Sequence, residues 1–316
     1  AEKRQRMAWI GDILGISETS KLVAEIEEKM PKPATNHRQR RTAKLRESKV
    51  SVSEIFSPPR VAAAAERHGL VQGWSLDLTT IDDETGLPWD LSDPNVQAKV
   101  RKMQAEDKPV MVMACPPCGP FSSWMHVNYS RMSTEETQKK LWDGMRHLAF
   151  AVEICMNQVR SGRFYAFEHP ATATSWATGM LQALMRTQGS QRVVFDFCTL
   201  GMKTKDGNGQ VGAALKKTGV LTNSGHLVSI LSKAQCDGSH RHIPLEGGKA
   251  KACEVYTEHF CDAVCMATSL EIRDEEWMQK VHEKISEVEM LGSLEEVRQK
   301  FDKMVEPDEE AGELQR

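Results

Sequence analysis

The sequence predicts an α/β fold: a doubly wound, mostly parallel sheet followed by a loop-rich extension and terminal helices. Two observations predict it. Between residues 50 and 200, apolar runs of strand length alternate with helical stretches, the pattern of a parallel sheet covered by helices. Three of those runs end in chemically distinctive loops, and doubly wound sheets bind ligands beyond the carboxyl ends of their strands.

Residues 1–49 read as a separate N-terminal piece. Ile10, Ile13, Leu14, Leu22, Val23 and Ile26 fall at helical spacing, with Ser17 and Ser20 as candidate caps. From Lys32 to Lys49 there are seven Lys or Arg and one acid, a basic linker that is either a solvated hinge or a phosphate contact. Within 50–200, strands are predicted at Val50–Phe56, Trp74–Leu78, Pro109–Ala114, Phe164–Glu168 and Val193–Phe197. Helices are predicted at Arg60–His68, ended by Gly69, and at Asp93–Glu106, Thr134–Ser161 and Thr178–Thr187. Residues 201–267 read as loops with short strands such as Gly219–Thr222. Residues 268–316 read as charged helices carrying Trp277, Val281, Ile285 and Val288, then an acidic tail.

Bulk properties exclude several classes. The chain has 316 residues and a net charge of -3, so no global basic field announces nucleic acid. No apolar run approaches the roughly 18 residues that span a bilayer. No signal-peptide core follows Ala1-Glu2-Lys3-Arg4, so the expectation is an intracellular protein, nuclear or cytoplasmic, that is not secreted. Eight cysteines are too sparse for a disulfide scaffold and read as reduced thiols, with Cys253, Cys261 and Cys265 as core residues. An opening residue other than Met suggests a piece of a longer protein.

The first distinctive loop is Cys115-Pro116-Pro117-Cys118-Gly119-Pro120-Phe121-Ser122. Two prolines and a glycine make it rigid and non-helical, and a Cys held there meets a substrate as a thiolate. The Cys-x-x-Cys spacing also suits redox or metal chemistry, and two buried thiols in a tight turn is the plain structural alternative. The second is Phe167-Glu168-His169-Pro170, a carboxylate at a strand end, which is either a cleft residue or a helix cap. The third is Glu54-Ile55-Phe56-Ser57-Pro58-Pro59-Arg60, at the first strand end where nucleotide-type cofactors meet such sheets, or an ordinary strand–helix turn.

In order and spacing these loops resemble the cytosine-C5 methyltransferases, over roughly residues 50–200. Pro116-Pro117-Cys118-Gly119-Pro120-Phe121-Ser122 matches that family's Pro-Pro-Cys-Gln-Gly-Phe-Ser loop in five of seven positions, and Glu168 matches the Glu of its Glu-Asn-Val motif. A nearer resemblance is to methyltransferase-like domains embedded in retrotransposon polyproteins. It is carried by Glu54 to Val61, by Glu168-His169-Pro170-Ala171-Thr172-Ala173-Thr174-Ser175-Trp176, and by Lys217-Thr218-Gly219-Val220-Leu221-Thr222-Asn223. The resemblance implies a Rossmann-like sheet of the class I methyltransferase type. It implies Cys118 as covalent nucleophile and Glu168 as general acid. It implies S-adenosylmethionine held by Glu54, Phe56, Ser57, Asp77, Asp90 and Pro116, with Asp77 at the ribose and Asp90 at the adenine. The implied partners are nucleic acid, most simply DNA, and other domains of a polyprotein.

Pro58-Pro59 stand where the family uses glycine, which removes amide donors and adds bulk, so weak cofactor binding is expected. The family's Gln-x-Arg-x-Arg strand is not recognisable near Gln191-Arg192-Val193. These departures keep open a non-catalytic nucleic-acid-binding domain, and a thiol redox protein using Cys115 and Cys118 is a third reading. Separately, Cys236, His240 and His242 lie at close spacing, and Cys198 supplies a fourth soft ligand for a structural Zn²⁺; incidental histidines on a polar loop are the alternative.

Overall fold

The computed structural model describes residues 45–291 apart from 123, 124, 130, 247 and 248. The helix expected at 7–30, most of the basic linker and the acidic tail lie outside the described residues. Contacts divide the chain into two units, 1–272 and 273–316. What is described of the second is helix from 273 to 291, with Trp277 exposed.

The first unit is built on a mixed, mostly parallel sheet of six strands in the order β2-β1-β3-β4-β8-β5. The strands are β1 (Val52–Ile55), β2 (Gln72–Leu76), β3 (Met111–Ala114), β4 (Phe164–Pro170), β5 (Gln191–Asp196) and β8 (Lys217–Thr222). β1 pairs parallel with both β2 and β3, and β3 pairs parallel with β4. β8 runs antiparallel between β4 and β5. The sequence reading placed 217–222 in the extension, whereas this strand sits inside the main sheet. Asn223 helps hold it there. Its Oδ1 accepts from the Tyr165 N–H at 3.0 Å and its Nδ2 donates to the Arg163 carbonyl at 2.9 Å.

Strand β3 is apolar along its whole length, and β4 along its first four residues, because both faces are covered. Met111, Met113, Phe164 and Ala166 point to one core, and Val112, Ala114, Tyr165 and Phe167 to the other. The first core is closed by α1 (Val61–Ala64), α6 (Gly225–Ser232) and the start of α8 (Glu258–Leu291), through Val61, Leu227, Leu231, Phe260 and Val264. The second is closed by α2 (Pro94–Asp107), α4 (Thr134–Arg160) and α5 (Gly179–Met185), through Val100, Leu148, Ile154, Leu181 and Leu184. Cys253, Cys261 and Cys265 are buried in the first core, as the sequence predicts.

Local signals set the element ends. Asp93 caps α2 by accepting from the Asn95 N–H at 2.8 Å, with Pro94 in the first helical turn. Ser133 and Glu136 form a reciprocal capping box at the start of α4, worth about 1 kcal/mol. Gly69 ends the helical segment after α1 at φ 66°. The remaining elements are α3 (Met125–Tyr129), α7 (Lys249–Ala252), and a small sheet of β6 (Lys203–Lys205), β7 (Val211–Ala214) and β9 (His242–Ile243) in the order β6-β7-β9. No helix among the described residues is long and apolar enough to cross a membrane.

The chain leaves β1 to one side to make β2 and returns on the other side to make β3. The crevice beyond β1 and β3 is therefore the topological switch point, where open α/β sheets take ligands. The loop after β3 rests on α4 at Gly144, where an added Cβ would lie 2.8 Å from Pro120 carbons. Gly144→Ala gains about 1 kcal/mol of helix propensity. Overpacking costs about 1–3 kcal/mol, and Pro120 is too rigid to yield cheaply. We expect Gly144→Ala to be net destabilising in thermal or denaturant melts. A variant more stable than the parent would show that the loop is free to lift.

Candidate functional site

Beyond β3 the Cys115 N–H donates to the Ile55 carbonyl at 3.1 Å, so pairing with β1 runs one residue past the strand. Pro116 and Pro117 then stop it, because neither carries an N–H. The chain turns at Cys118 (φ -85°, ψ -11°) into a short 3-10 turn, Gly119–Phe121.

Several side chains lock this loop. The buried His169 ring bridges the Pro116 carbonyl, 2.9 Å from Nε2, and the Ser175 hydroxyl, 2.7 Å from Nδ1. A carbonyl only accepts, so Nε2 carries the hydrogen and Ser175 donates to Nδ1. Burial holds His169 down to about 4, which keeps the ring neutral at physiological pH. Thr174 Oγ1 donates to the Phe121 carbonyl at 3.2 Å, and the Tyr129 hydroxyl donates to the Pro120 carbonyl at 2.9 Å. The run from Glu168 to Trp176 is thus a bracket for the Cys118 loop.

β3 and β4 pair in parallel with Ala114 opposite Phe167, so the residues that follow each strand emerge side by side. Glu168 is buried, and its carboxylate is half satisfied. The Tyr256 hydroxyl donates to Oε2 at 2.9 Å, while Oε1 is shielded from solvent and has no hydrogen-bond partner among the described residues. Such an orphaned acceptor calls for explanation, a missing ligand group being one. The Cys115 thiol also reaches the Tyr256 hydroxyl. Cys118 is half-buried and feels the charge of the same carboxylate. Desolvation first, then the Glu168 charge, push its thiol up to about 11, while Lys216 opposes them. The same two causes push Cys115 up strongly. Both are thiols at neutral pH, and a change that neutralises Glu168 would make Cys118 easier to ionise.

On the other side of the switch point, Glu54 is fully buried at the end of β1. It accepts from the Arg60 and Ala62 N–H groups at 2.8 and 3.1 Å, from Val61 N–H at 3.4 Å and from Ser75 Oγ at 2.9 Å. Burial raises its pKa, and these donors oppose the rise. Phe56 follows at φ 57°, a left-handed backbone that a bulky residue rarely adopts, with its ring edge-on to His147 and Phe150 at 5.5 and 6.4 Å. Ser57 is buried and donates to the Pro58 carbonyl at 3.1 Å. Asp77 follows β2, and its Oδ1 accepts from Thr79 N–H and hydroxyl at 2.9 and 2.7 Å. Asp90 is exposed and accepts from Ser92 N–H and hydroxyl at 2.9 and 2.6 Å, which hold its carboxyl below the usual range.

A cofactor of the S-adenosylmethionine type meets two surfaces here. Asp77 and Asp90 each spend Oδ1 on their own turn. From Pro58 to Ala62 no backbone donor is free: two positions are proline, and the other three amides are spent on Glu54. The turn does not fit the anionic methionine end.

A second cluster joins Cys198, Cys236, His240 and His242, whose ligand atoms all lie within 4.8 Å of one another and can hold a metal ion. Cys198 lies in the 3-10 turn Phe197–Leu200 after β5, Cys236 and His240 in the turn after α6, and His242 in β9.

No protein-family model matches the chain, and no curated protein matches it. The reading therefore rests on residues and geometry. Sequence reasoning missed Tyr256, which lies 88 residues from Glu168 in a segment without a motif. It noted His169 within a run, but nothing in the run shows that its ring holds the Pro116 carbonyl.

We expect iodoacetamide labelling of Cys118 to rise about tenfold per pH unit from pH 7 to beyond 9, without levelling off near the usual 8.5, and to outpace labelling of Cys115. Glu168→Gln removes one cause of the raised thiol and should speed Cys118 labelling at pH 8. A plateau below pH 9, or slower labelling in the variant, would contradict the charge arrangement.

Proposed function

We propose that this chain is a cytosine-C5 methyltransferase-like domain that takes a cytosine of nucleic acid, most simply DNA, between Cys118 and Glu168. The observation that carries the reading is the pairing of a thiol on a braced loop with a buried carboxylate, one oxygen bonded and the other unpartnered, at the carboxyl ends of adjacent parallel strands. The motif order and the switch point beside them support it, as does the six-stranded sheet in which a Rossmann-like, class I methyltransferase-type arrangement is read. The likeness to retrotransposon-embedded domains makes other domains of a polyprotein the expected partners. In the same reading Cys198, Cys236, His240 and His242 hold a structural Zn²⁺.

The residues support one covalent step. The target base leaves the duplex to reach them. Cys118 gives its proton to solvent base and its sulfur bonds to C6 of the ring. The C5=C6 pair moves to C4–C5, and the C4=N3 pair moves to N3. Glu168 takes up a proton from solvent and passes it to N3 from Oε1, the oxygen that Tyr256 leaves free. The carboxylate left behind accepts from Tyr256. In the family the cofactor supplies a methyl electrophile to C5. The β1–α1 turn does not fit its methionine end, so no step is routed through it here. That misfit favours the second reading, a nucleic-acid-binding domain that keeps the base pocket without methyl transfer.

Two oligonucleotides separate the readings. DNA carrying 2-pyrimidinone adds a thiolate without any cofactor, whereas 5-fluorocytosine traps the enzyme after methylation because C5 then has no proton to lose. We expect a Cys118 adduct with the first, lost in Cys118→Ser and kept in Cys115→Ser. An additional, cofactor-dependent adduct with 5-fluorocytosine would establish methyl transfer. No adduct with either, or one on Cys115, would refute the proposal.

Calorimetry with S-adenosylmethionine should show weak binding. Each missing donor to a charged group costs about 1.5–3 kcal/mol, so two cost about two to four orders of magnitude in affinity. A micromolar dissociation constant would overturn this expectation.

A further inference from the structure

We propose that a zinc ion on Cys198, Cys236, His240 and His242 holds Tyr256 against Glu168, and that Tyr256 is a positioning residue of the candidate site. The zinc assignment stands on its own geometry; the role of Tyr256 rests on the function proposed above.

Four of the six separations between the ligand atoms are close to those of a tetrahedral site, and all six are within 4.8 Å. His240 Nε2 and His242 Nε2 are 3.1 Å apart, His242 Nε2 and Cys198 Sγ 3.3 Å, Cys236 Sγ and His242 Nε2 3.5 Å, and Cys236 Sγ and His240 Nε2 3.7 Å. Tetrahedral zinc, with bonds of about 2.3 Å to sulfur and 2.0–2.1 Å to nitrogen, sets ligand separations of about 3.3–3.8 Å. Two thiolates and two imidazoles suit zinc over the oxygen-seeking Mg²⁺ or Ca²⁺. One backbone donor suits a thiolate, and a second bond fixes the turn. The Gly238 N–H donates to Cys236 Sγ at 3.3 Å from a residue at φ 75°, and the Cys236 N–H donates to Asp196 Oδ2 at 3.1 Å. The four ligands leave no protein position open, which makes the site structural.

The connection to Glu168 is short. Phe197, the residue before Cys198, is fully buried and stacks on Tyr256 at 6.1 Å and 12°. Phe260 contacts both rings, at 5.2 and 4.7 Å. Lys216 Nζ lies 4.6 Å from the centre of the Phe197 ring and donates to the Cys253 carbonyl at 2.9 Å, while Arg60 donates to the Glu254 carbonyl at 2.8 Å. Residues 253–256 are therefore tied down at both edges of the crevice, and the Tyr256 hydroxyl lands on Glu168 Oε2. With Oε2 taken by this donor, Oε1 is the carboxylate oxygen left without a partner among the described residues. Strand β9, which carries His242, pairs with β7 at only two residue pairs, so the metal would tie β9 and the turn after α6 to the turn after β5.

The test uses the full chain and neither DNA nor cofactor, so it fails or succeeds apart from the functional proposal. Elemental analysis of protein purified without chelator should find about one zinc per chain. Stripping zinc should speed iodoacetamide labelling of Cys115 and Cys118 at least tenfold, with Cys155, buried in the opposite core, still unlabelled and with reversal on adding Zn²⁺. No zinc would overturn the metal centre. Zinc present with unchanged labelling on stripping would overturn the coupling, and so would Cys155 labelled as fast as Cys118. Tyr256→Phe keeps the ring stack and should keep its zinc. It should move the Cys118 labelling profile, because the Tyr256 hydroxyl holds the carboxylate whose charge acts on that thiol. An unmoved profile would remove Tyr256 as a positioning residue.

Discussion

The parallel pairing of β3 with β4 is the constraint on which the rest of the site depends. Ala114 stands opposite Phe167 with no bulge between them, so Cys115 and Glu168 emerge at the same sheet edge. Burial on both faces keeps this pairing rigid, since neither strand can slip a residue without turning its apolar side chains into the wrong core. The neutral His169 then transfers that rigidity to the loop by gripping the Pro116 carbonyl.

The site carries an electrostatic cost. Two thiols, a carboxylate and a phenol share a desolvated pocket, and the causes that raise the thiols are burial and the carboxylate itself. Such an arrangement contributes little to stability, because unpaired polar groups in low dielectric are expensive. At its centre one buried carboxylate oxygen has no partner among the described residues, which leaves it open to a ligand group under the proposed function. Lys216 opposes the rise at both thiols, and its ammonium lies over the Phe197 and Tyr256 rings, coupling the charge balance to the aromatic stack.

The β1–α1 turn shows the opposite economy. A helix N-terminus with free amides is an anion site. Here Glu54 occupies it from within the protein, four donors converge on one carboxylate, and the two prolines shape the turn that allows it. The fold gains a well-satisfied buried acid and gives up the free backbone donors that an anionic ligand would use. Phe56, strained at φ 57°, marks where the chain bends to accomplish this.

The sequence by itself determined the strands and helices of residues 50–200 to within a few residues at most ends. Those signals are local: apolar runs, caps at Asp93 and Ser133, and a terminating Gly69. It also determined which residue types stand at the strand ends, and it brought Cys198 to Cys236, His240 and His242 by ligand chemistry alone. Only the tertiary structure decided that 217–222 enters the main sheet between β4 and β5, because an edge-to-edge fit depends on which neighbour is open, and no short window records that. Only it decided that Glu54 is consumed by its own helix, that His169 clamps the thiol loop, and that Tyr256 reaches Glu168 from 88 residues away. Hydrogen bonds between distant segments leave no periodicity in the chain, so their partners are fixed by packing rather than by sequence pattern.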